Sequence, residues 1–386
     1  MFIFPLLELA QLLQQFIGDN IYIKGVNDMS DKCQFWQEYD SISGRISYCE
    51  LAAFNRPVNP QFLAEIGCTE EKRKECLGNM ELNIGIGSVP TVEPVVCNSP
   101  ADIAKSCVGA AEKKAAITST PLRVLAILAG AYIAMGGVLN TVITNDLGNY
   151  IGDGLTRLIG GMVFSLGLIL VILGGAELFT GNNLVMTTGL LDGKVTLKQV
   201  LYNWVNVYIF NFVGAVLVAL LVYYSGIWKF NNGNVGLKAL NAAVGKVNLS
   251  FTEALVRGIL CNWLVCLAVW LSMAGKDAFG KILGIMVPVT AFVAMGFEHS
   301  VANMYFIPMG ILLSGQEALV ANLNPAVLEG LNWSGFLLKN LLPVTIGNMI
   351  GGIFFVATAY WNVYLKPRTP EKKGWRILHG LFQNRL

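Results

Sequence analysis

The ionisable side chains of Glu177, Glu298 and His299 lie at the end of or inside apolar stretches of this sequence of 386 residues. An ionisable group at the depth of a bilayer is costly to bury and marks a candidate functional site. An imidazole changes its charge near neutral pH, so His299 can offer a small anion either a proton or a positively charged hydrogen-bond donor. A bare monovalent anion in hydrocarbon costs on the order of tens of kcal/mol in the Born limit. His299 is therefore the first candidate for chemistry.

One alternative interpretation of these residues remains open, and a second is disfavoured. His299 in a neutral, hydrogen-bonded packing role is the alternative to a functional one. A metal site is disfavoured, because the second histidine, His379, lies in the polar tail, and Cys261 and Cys266 are five residues apart on a predicted helix and face different directions. We expect no metal and no cofactor. We also expect no enzyme, because the apolar stretches contain no cluster of ionisable residues.

The composition indicates the elements that must hold these residues. The chain is 54% hydrophobic and 13% charged, with a mean hydropathy of +0.56, whereas soluble domains carry about 25% charged residues. A net charge of +2 gives no case for nucleic-acid binding. Six stretches approach the roughly 20 residues that a membrane span requires: 124–143, 158–176, 204–224, 258–272, 282–313 and 336–364. We predict an integral membrane protein that makes multiple passes through the bilayer.

Two of the six stretches are predicted to be broken. The fifth is too long for one span and carries Glu298 and His299 in its middle, and the second ends at Glu177 before a short apolar piece at 184–191. Six spans place both termini on one side. With both termini in the cytoplasm, thirteen basic residues flank the spans on the cytoplasmic side and five on the other, as the positive-inside rule favours.

The two halves of the spanning region resemble each other. The second and fifth stretches share the pattern Gly-x-Glu-x4-Asn, at 175–182 and 296–303, and the third and sixth share Asn-x7-Asn-x2-Gly, at 203–214 and 340–351. With three spans per copy, the repeats must be inverted, which is typical of transport proteins. We expect Glu177 and Glu298 to accept hydrogen bonds from backbone N–H groups freed by the breaks, and the glycines to allow close helix packing.

The residues that carry these patterns resemble the formate/nitrite transporter family. The resemblance covers about residues 97–365, and its most specific stretches are 175–182, 261–270 and 296–304, supported by 99–104, 122–134 and 342–352. It implies an all-α integral membrane fold of six transmembrane helices in two inverted three-helix repeats, aquaporin-like, with spans 2 and 5 broken at loops 178–180 and 298–300. It also implies a homopentamer with one pore in each subunit.

The resemblance further implies roles for individual residues. His299 lies at the centre of the pore, and Thr180 faces it as a second polar contact, although a local backbone hydrogen bond is the alternative for this threonine. Lys246 concentrates anions at the extracytoplasmic vestibule, unless it is simply a solvated charge. Asn262, Glu298 and Asn303 join its network. Two dry constrictions consist of Phe164, Leu178 and Phe292 toward the outside and of Leu168, Phe179 and Val265 toward the inside.

The chain divides into three predicted segments. Residues 1–95 form an N-terminal extension, 96–366 the transport domain and 367–386 a basic cytoplasmic tail. Six of the eight cysteines lie at or before Cys107, which is compatible with a disulfide framework but is opposed by a reducing, cytoplasmic N-terminus. Residues 1–17 make a poor signal peptide, and an amphipathic surface helix or an organellar targeting sequence are the alternatives. The sequence assigns the extension no function.

Together these features predict a channel or transporter for small monovalent weak-acid anions, formate first and nitrite second, with proton coupling through His299. Lactate, acetate and hydrosulfide are alternative substrates. An aquaporin-like facilitator of neutral solutes is the competing function, although the sequence Asn-Pro-Ala occurs only at 324–326, outside both breaks. The expected partners are the anion, protons, the lipid bilayer and copies of the same chain. We expect a plasma membrane location, with an organellar envelope as the alternative.

Overall fold

A computed structural model describes residues 36–41, 44–49, 97–321 and 324–367. The chain forms two compact units, 1–94 and 95–386. In the first unit, strands β1 (Trp36–Ser41) and β2 (Gly44–Cys49) pair antiparallel, with Trp36 opposite Cys49. The predictions for residues 1–17, for most cysteines of the extension and for the tail beyond residue 367 lie outside the described residues.

The described part of the second unit is helical. Its first half contains α1 (Pro100–Ala116), α2 (Ser119–Thr144), α3 (Gly148–Phe164), α4 (Leu166–Leu173), α5 (Phe179–Leu191) and α6 (Leu197–Ser225), followed by a 3-10 turn (Ile227–Lys229). Its second half contains α7 (Asn234–Val247), α8 (Phe251–Ala274), α9 (Ala278–Ala294), α10 (Ser300–Leu313), and the short helices α11 (Glu317–Val320) and α12 (Pro325–Leu328). The last continuous run consists of a π-helical segment (Gly335–Leu341), α13 (Leu342–Gly352), a second π-helical segment (Ile353–Thr358) and α14 (Ala359–Tyr364).

Within the described residues, five helical runs are long and apolar enough to cross a membrane: α2, α3 with α4, α6, α8 and the run Gly335–Tyr364. The apolar helices α9 and α10 are shorter. Large apolar side chains are exposed along these runs, Val205, Leu221 and Phe354 among them, as expected of surfaces that face lipid or a neighbouring subunit. The protein is therefore an integral membrane protein.

Both predicted breaks are present, but each lies a few residues earlier than the sequence indicated. In the first half α4 ends at Leu173 and α5 begins at Phe179, and in the second half α9 ends at Ala294 and α10 begins at Ser300. The backbone turns at Gly175 and Gly296, whose φ angles of 77° and 72° lie in the region that favours glycine. Phe179, Thr180 and Ser300, predicted to lie in loops, therefore open helices.

Two helix pairs pack closely at glycine residues, α2 with α6 and α8 with α13. A side chain at Gly214 would collide with the carbonyl oxygen of Ile127, and one at Gly347 with that of Leu255. The predicted role of these glycines in close helix packing is confirmed. In α1, Cys107 is fully buried, and burial raises the pKa of its thiol to about 12, so this cysteine is an unreactive packing residue.

Candidate functional site

His299 and Thr180 meet where the two short helices α5 and α10 begin. His299 Nε2 lies 2.9 Å from Thr180 Oγ1, although the two residues are 119 positions apart. Both side chains are buried, with 3% and 0% of their surfaces exposed. Helix N-termini carry partial positive charge, so this meeting point favours an anion.

Hydrogen bonding defines the tautomer of His299. The residue caps α10, and its Nδ1 accepts the backbone N–H of Ala302 at 3.0 Å. Because Nδ1 is an acceptor, a neutral ring in this geometry carries its proton on Nε2 and donates it to Thr180 Oγ1. The Thr180 hydroxyl then has its own proton available for a ligand, since the described residues offer it no second acceptor.

Two asparagines outside the predicted set hold the breaks open. Asn211 Oδ1 accepts the N–H of Phe179 at 2.9 Å, and Asn348 Oδ1 accepts the N–H of Ser300 at 2.9 Å. Their amide groups donate to the carbonyls that precede each short helix, at Glu177 and Glu298. The expectation that the carboxylates of Glu177 and Glu298 satisfy the freed N–H groups is therefore wrong, because amide side chains, which can donate and accept at once, do so.

The two glutamates instead belong to matching polar units, one at each end of the molecule. In the second half, Lys246 Nζ is 2.8 Å from Glu298 Oε1, and Asn303 donates to Glu298 Oε2 at 2.7 Å and to Asn340 Oδ1 at 2.7 Å. We call this the Lys246 unit.

The first half repeats the arrangement around Lys114, a residue that the sequence did not single out. Lys114 Nζ is 2.6 Å from Glu177 Oε1, and Asn182 donates to Glu177 Oε2 at 2.8 Å and to Asn203 Oδ1 at 2.8 Å. We call this the Lys114 unit. Position in the chain could have identified it, because Lys114 and Lys246 stand at the same distance before helices α2 and α8, which begin at Ser119 and Phe251.

Asn262 lies apart from both units. Its amide donates to the backbone oxygens of Thr180 and Asn348, at 3.3 and 2.7 Å, and to Asn183 Oδ1 at 3.2 Å. It therefore joins α8 to the first turn of α5 and to α13. The resemblance placed Asn262 in one network with Lys246, Glu298 and Asn303, and these three hydrogen bonds lead to other residues.

Apolar side chains enclose His299. A cavity of about 10 Å³ beside its ring is lined by Phe164, Leu168, Leu178, Val265 and Phe292, together with Ile133 and Val289. The rings of Phe292 and His299 are stacked, with centroids 6.1 Å apart, and Phe164 meets Phe292 edge-on at 6.0 Å. Five of the six predicted constriction residues are thus together.

Phe179, the sixth predicted constriction residue, packs elsewhere. Its ring meets that of Tyr208 at 4.8 Å and that of Trp204 at 6.4 Å, both on α6. It lines none of the cavities described here. Phe179 thus anchors the start of α5 to α6.

A larger cavity leads to His299 from the end that carries Lys246. It has a volume of about 180 Å³ and is lined by His299, Phe164, Phe292, Phe306, Lys246 and Glu298, among others. At the other end, a cavity of about 160 Å³ beside Lys114 and Asn203 does not reach the histidine. Within the described residues, no group of three or more His, Cys, Asp or Glu side chains is placed to hold a metal ion.

Comparison with known proteins gives a consistent result. Residues 101–362 match the family model described as formate/nitrite transporter. A probable formate transporter from Methanothermobacter thermautotrophicus is 46% identical over 282 residues, which cover 69% of this chain and 97% of the relative. The formate channel FocA of Escherichia coli (strain K12) is 42% identical over 273 residues, covering 69% and 94%.

Solved structures of the same kind are also similar. A pentameric formate channel with formate bound superposes with a TM-score of 0.58 at 36% identity, covering 64% of this chain and 98% of that one. An ion channel of the FNT family gives a TM-score of 0.58 at 31% identity, covering 69% and 99%.

Proposed function

Because this chain belongs to the formate/nitrite transporter family, we propose that it conducts small monovalent weak-acid anions, formate first and nitrite second, with a proton supplied through His299. The observation that carries the proposal is the buried His299–Thr180 pair, at 2.9 Å, between the starts of two short helices and behind a dry aromatic gate. The relatives named above as formate channels and the channel solved with formate bound support the choice of substrate.

The geometry suggests how charge is removed from the anion. Lys246 donates to Glu298 with one of its three N–H groups and has others for an arriving anion. Beyond it, the rings of Phe164 and Phe292 disfavour a charged species and admit a neutral acid more easily. The anion therefore gains its proton at the position where hydration is lost.

His299 can relay that proton through its two ring nitrogens. A proton that binds Nδ1 displaces the Ala302 N–H, which costs about 1 kcal/mol, as the loss of a helix cap does. The imidazolium then transfers its Nε2 proton to an oxygen of the anion, which leaves as the neutral acid, and the ring remains neutral with its proton on Nδ1. Return to the Ala302-bonded tautomer resets the site.

The proposed assembly follows the family. The apolar pair α9 and α10 completes a sixth crossing beside the five long helical runs, so that residues 96–366 form two inverted three-helix repeats of aquaporin-like topology. The solved pentameric relative supports a homopentamer with a pore in each subunit. The distribution of basic residues favours cytoplasmic termini, and we propose the plasma membrane as the location.

Reconstitution into proteoliposomes tests the function directly. Uptake of radiolabelled formate, nitrite and lactate is measured across a pH range for the wild type and for His299→Asn. The asparagine keeps a side-chain acceptor for the Ala302 N–H and removes the titratable ring. We expect wild-type anion flux to rise as the external solution becomes acidic, and the variant to lose that dependence.

A neutral-solute facilitator is the competing function, and the same vesicles distinguish it. Glycerol or water flux without anion flux would replace the proposal. Anion flux that keeps its pH dependence in His299→Asn would leave the channel function in place but remove the histidine from proton coupling. Lactate flux equal to formate flux would widen the substrate class.

A further inference from the structure

The end of the protein that carries Lys246 opens into a cavity of about 430 Å³ with four basic side chains in its lining: Arg157, Lys238, Lys246 and Arg257. Glu298 is the one acidic residue among the lining residues. It already pairs with Lys246 at 2.8 Å. The other three cations therefore face the cavity without a carboxylate partner in its wall.

The three outer cations are held only loosely by the protein. Arg157 is exposed and reaches the carbonyl oxygen of Ala294 at 3.5 Å, directly above the break at Gly296. Among the described residues, none of the three has a carboxylate oxygen within 4.0 Å. Glu253, one helical turn before Arg257, uses its carboxylate to accept from Ser250 at the start of α8.

This cavity continues into the one that ends at His299. The two share Asn140, Lys238, Lys246, Gly296 and Glu298 in their linings. Arg157 and Arg257 line only the outer cavity, whereas Lys238 and Lys246 line both. An anion that enters from this end therefore passes the two arginines before it reaches the cavity that ends at His299. These cations therefore line the route to His299 and not a separate surface of the protein.

The opposite end lacks these additional charges in the part of the chain that the structure describes. Its cavity, of about 160 Å³, has two basic residues in its lining, Lys114 and Lys198, and Lys114 is paired with Glu177. Among the described residues, the inverted repeat thus reproduces the Lys–Glu–Asn unit at both ends, whereas three further cations line the cavity at the Lys246 end alone.

We propose that Arg157, Lys238 and Arg257 form an outer anion-binding site, specific to the Lys246 end, that takes a small carboxylate or oxyanion before it reaches His299. This inference rests on the proposed function. Two guanidinium groups can each present paired N–H donors to the oxygens of one anion. Basic walls around a low-dielectric cavity also raise the local anion concentration.

Sulfate is the probe that isolates this site. Its double charge and hydration exclude it from the dry gate, so that it can occupy the outer site and obstruct formate without being transported. Formate flux is measured in proteoliposomes at constant ionic strength, with sulfate replacing a large inert anion either outside only or on both faces. Reconstituted channels face both ways, so sulfate outside reaches the outer site of only part of the population.

We expect external sulfate to inhibit the fraction of channels whose Lys246 end faces outward, and sulfate on both faces to inhibit all of them. Arg157→Gln/Arg257→Gln removes two cations of the site and is expected to raise the half-inhibiting sulfate concentration at least fivefold. Lys229→Gln/Lys339→Gln removes two exposed cations near the same end that do not line the cavity, and is expected to match the wild type. Elution of each variant as the assembled oligomer verifies folding.

Three results would overturn the inference: equal sulfate sensitivity in the arginine variant and the wild type, complete inhibition by external sulfate alone, or formate flux in the wild type that sulfate does not affect. A wild-type protein that carries no formate would instead contradict the proposed function. The two failures are therefore distinguishable.

Discussion

Thr180 and His299 complete each other's hydrogen bonding at the centre of the molecule. The ring donates through Nε2 to Thr180 Oγ1 and accepts through Nδ1 from Ala302. No freedom remains for the ring to turn without breaking one of these bonds. The threonine hydroxyl is the adaptable member of the pair, since it can rotate its own proton toward a passing anion.

Thr180→Val tests this role at the residue scale. Valine has nearly the same shape but no hydroxyl, so it leaves the buried Nε2–H without a partner, at a cost of about 1–3 kcal/mol. We expect formate flux to fall at least tenfold, while Thr180→Ser, which keeps the hydroxyl, retains most of it. Proteoliposome uptake measures both variants, and a valine variant with normal flux would remove Thr180 from the pathway.

Asn348 belongs to the structural support of the site and not to its chemistry. Its side chain bonds to the N–H of Ser300 and to the carbonyls of Gly258 and Glu298. Asn348→Leu leaves these three buried groups unpaired, each worth about 1–3 kcal/mol. We expect a large fall in the thermal unfolding temperature in detergent, whereas Asn206→Leu, at a partly exposed position of α6, stays near the wild type. Equal unfolding temperatures for the two variants would contradict the anchoring role of Asn348.

At the scale of elements, the two breaks depend on glycine and on asparagines from the helices that pack against them. Gly175 and Gly296 turn the chain with positive φ, and the sequence pattern Gly-x-Glu-x4-Asn located both breaks. The pattern did not define where each short helix begins, because Phe179 and Ser300 enter helices only when Asn211 and Asn348 accept their N–H groups. Those partners lie 32 and 48 residues away, beyond what local spacing can predict.

Helix contact at glycine gives a prediction at the same scale. In Gly347→Ala the new methyl group meets the backbone oxygen of Leu255, so α8 and α13 must separate. Overpacking of this kind costs about 1–3 kcal/mol, and we expect lower thermal stability together with reduced formate flux. Gly109→Ala, in α1, has no atom within 4 Å of the added carbon and is expected to be neutral or slightly stabilising because alanine favours helix. Identical stability of the two variants would show that α8 and α13 have room to adjust.

For the whole molecule, the inverted repeat explains most of what the sequence could predict and also what it missed. The paired motifs located His299, Glu298 and Asn303, all of which lie at or beside the central site. Lys114 went unnoticed because its partner, Glu177, is 63 residues away and because it follows another lysine in an amphipathic helix. Cavity linings, such as the one that contains Arg157 and Arg257, form only through tertiary contacts. No periodic pattern in the sequence therefore reveals them.

The symmetry makes a final prediction about the two ends. Lys114→Gln alone leaves Glu177 buried without its cation, and losing one partner of such a pair costs about 3–5 kcal/mol. The double variant Lys114→Gln/Glu177→Gln removes both charges, so we expect it to recover thermal stability without recovering formate flux, because the ammonium donors that meet the anion are gone.

The corresponding double variant Lys246→Gln/Glu298→Gln is expected to behave in the same way, since its ion pair and asparagine partners repeat those of the first half. Thermal unfolding and proteoliposome uptake are measured on the two single lysine variants and the two double variants. If each double variant restores stability but not flux, both lysines act on the anion. If the Lys114 double variant restores flux as well, that pair only holds α1 in place, and the two halves have diverged in function while retaining a common structure.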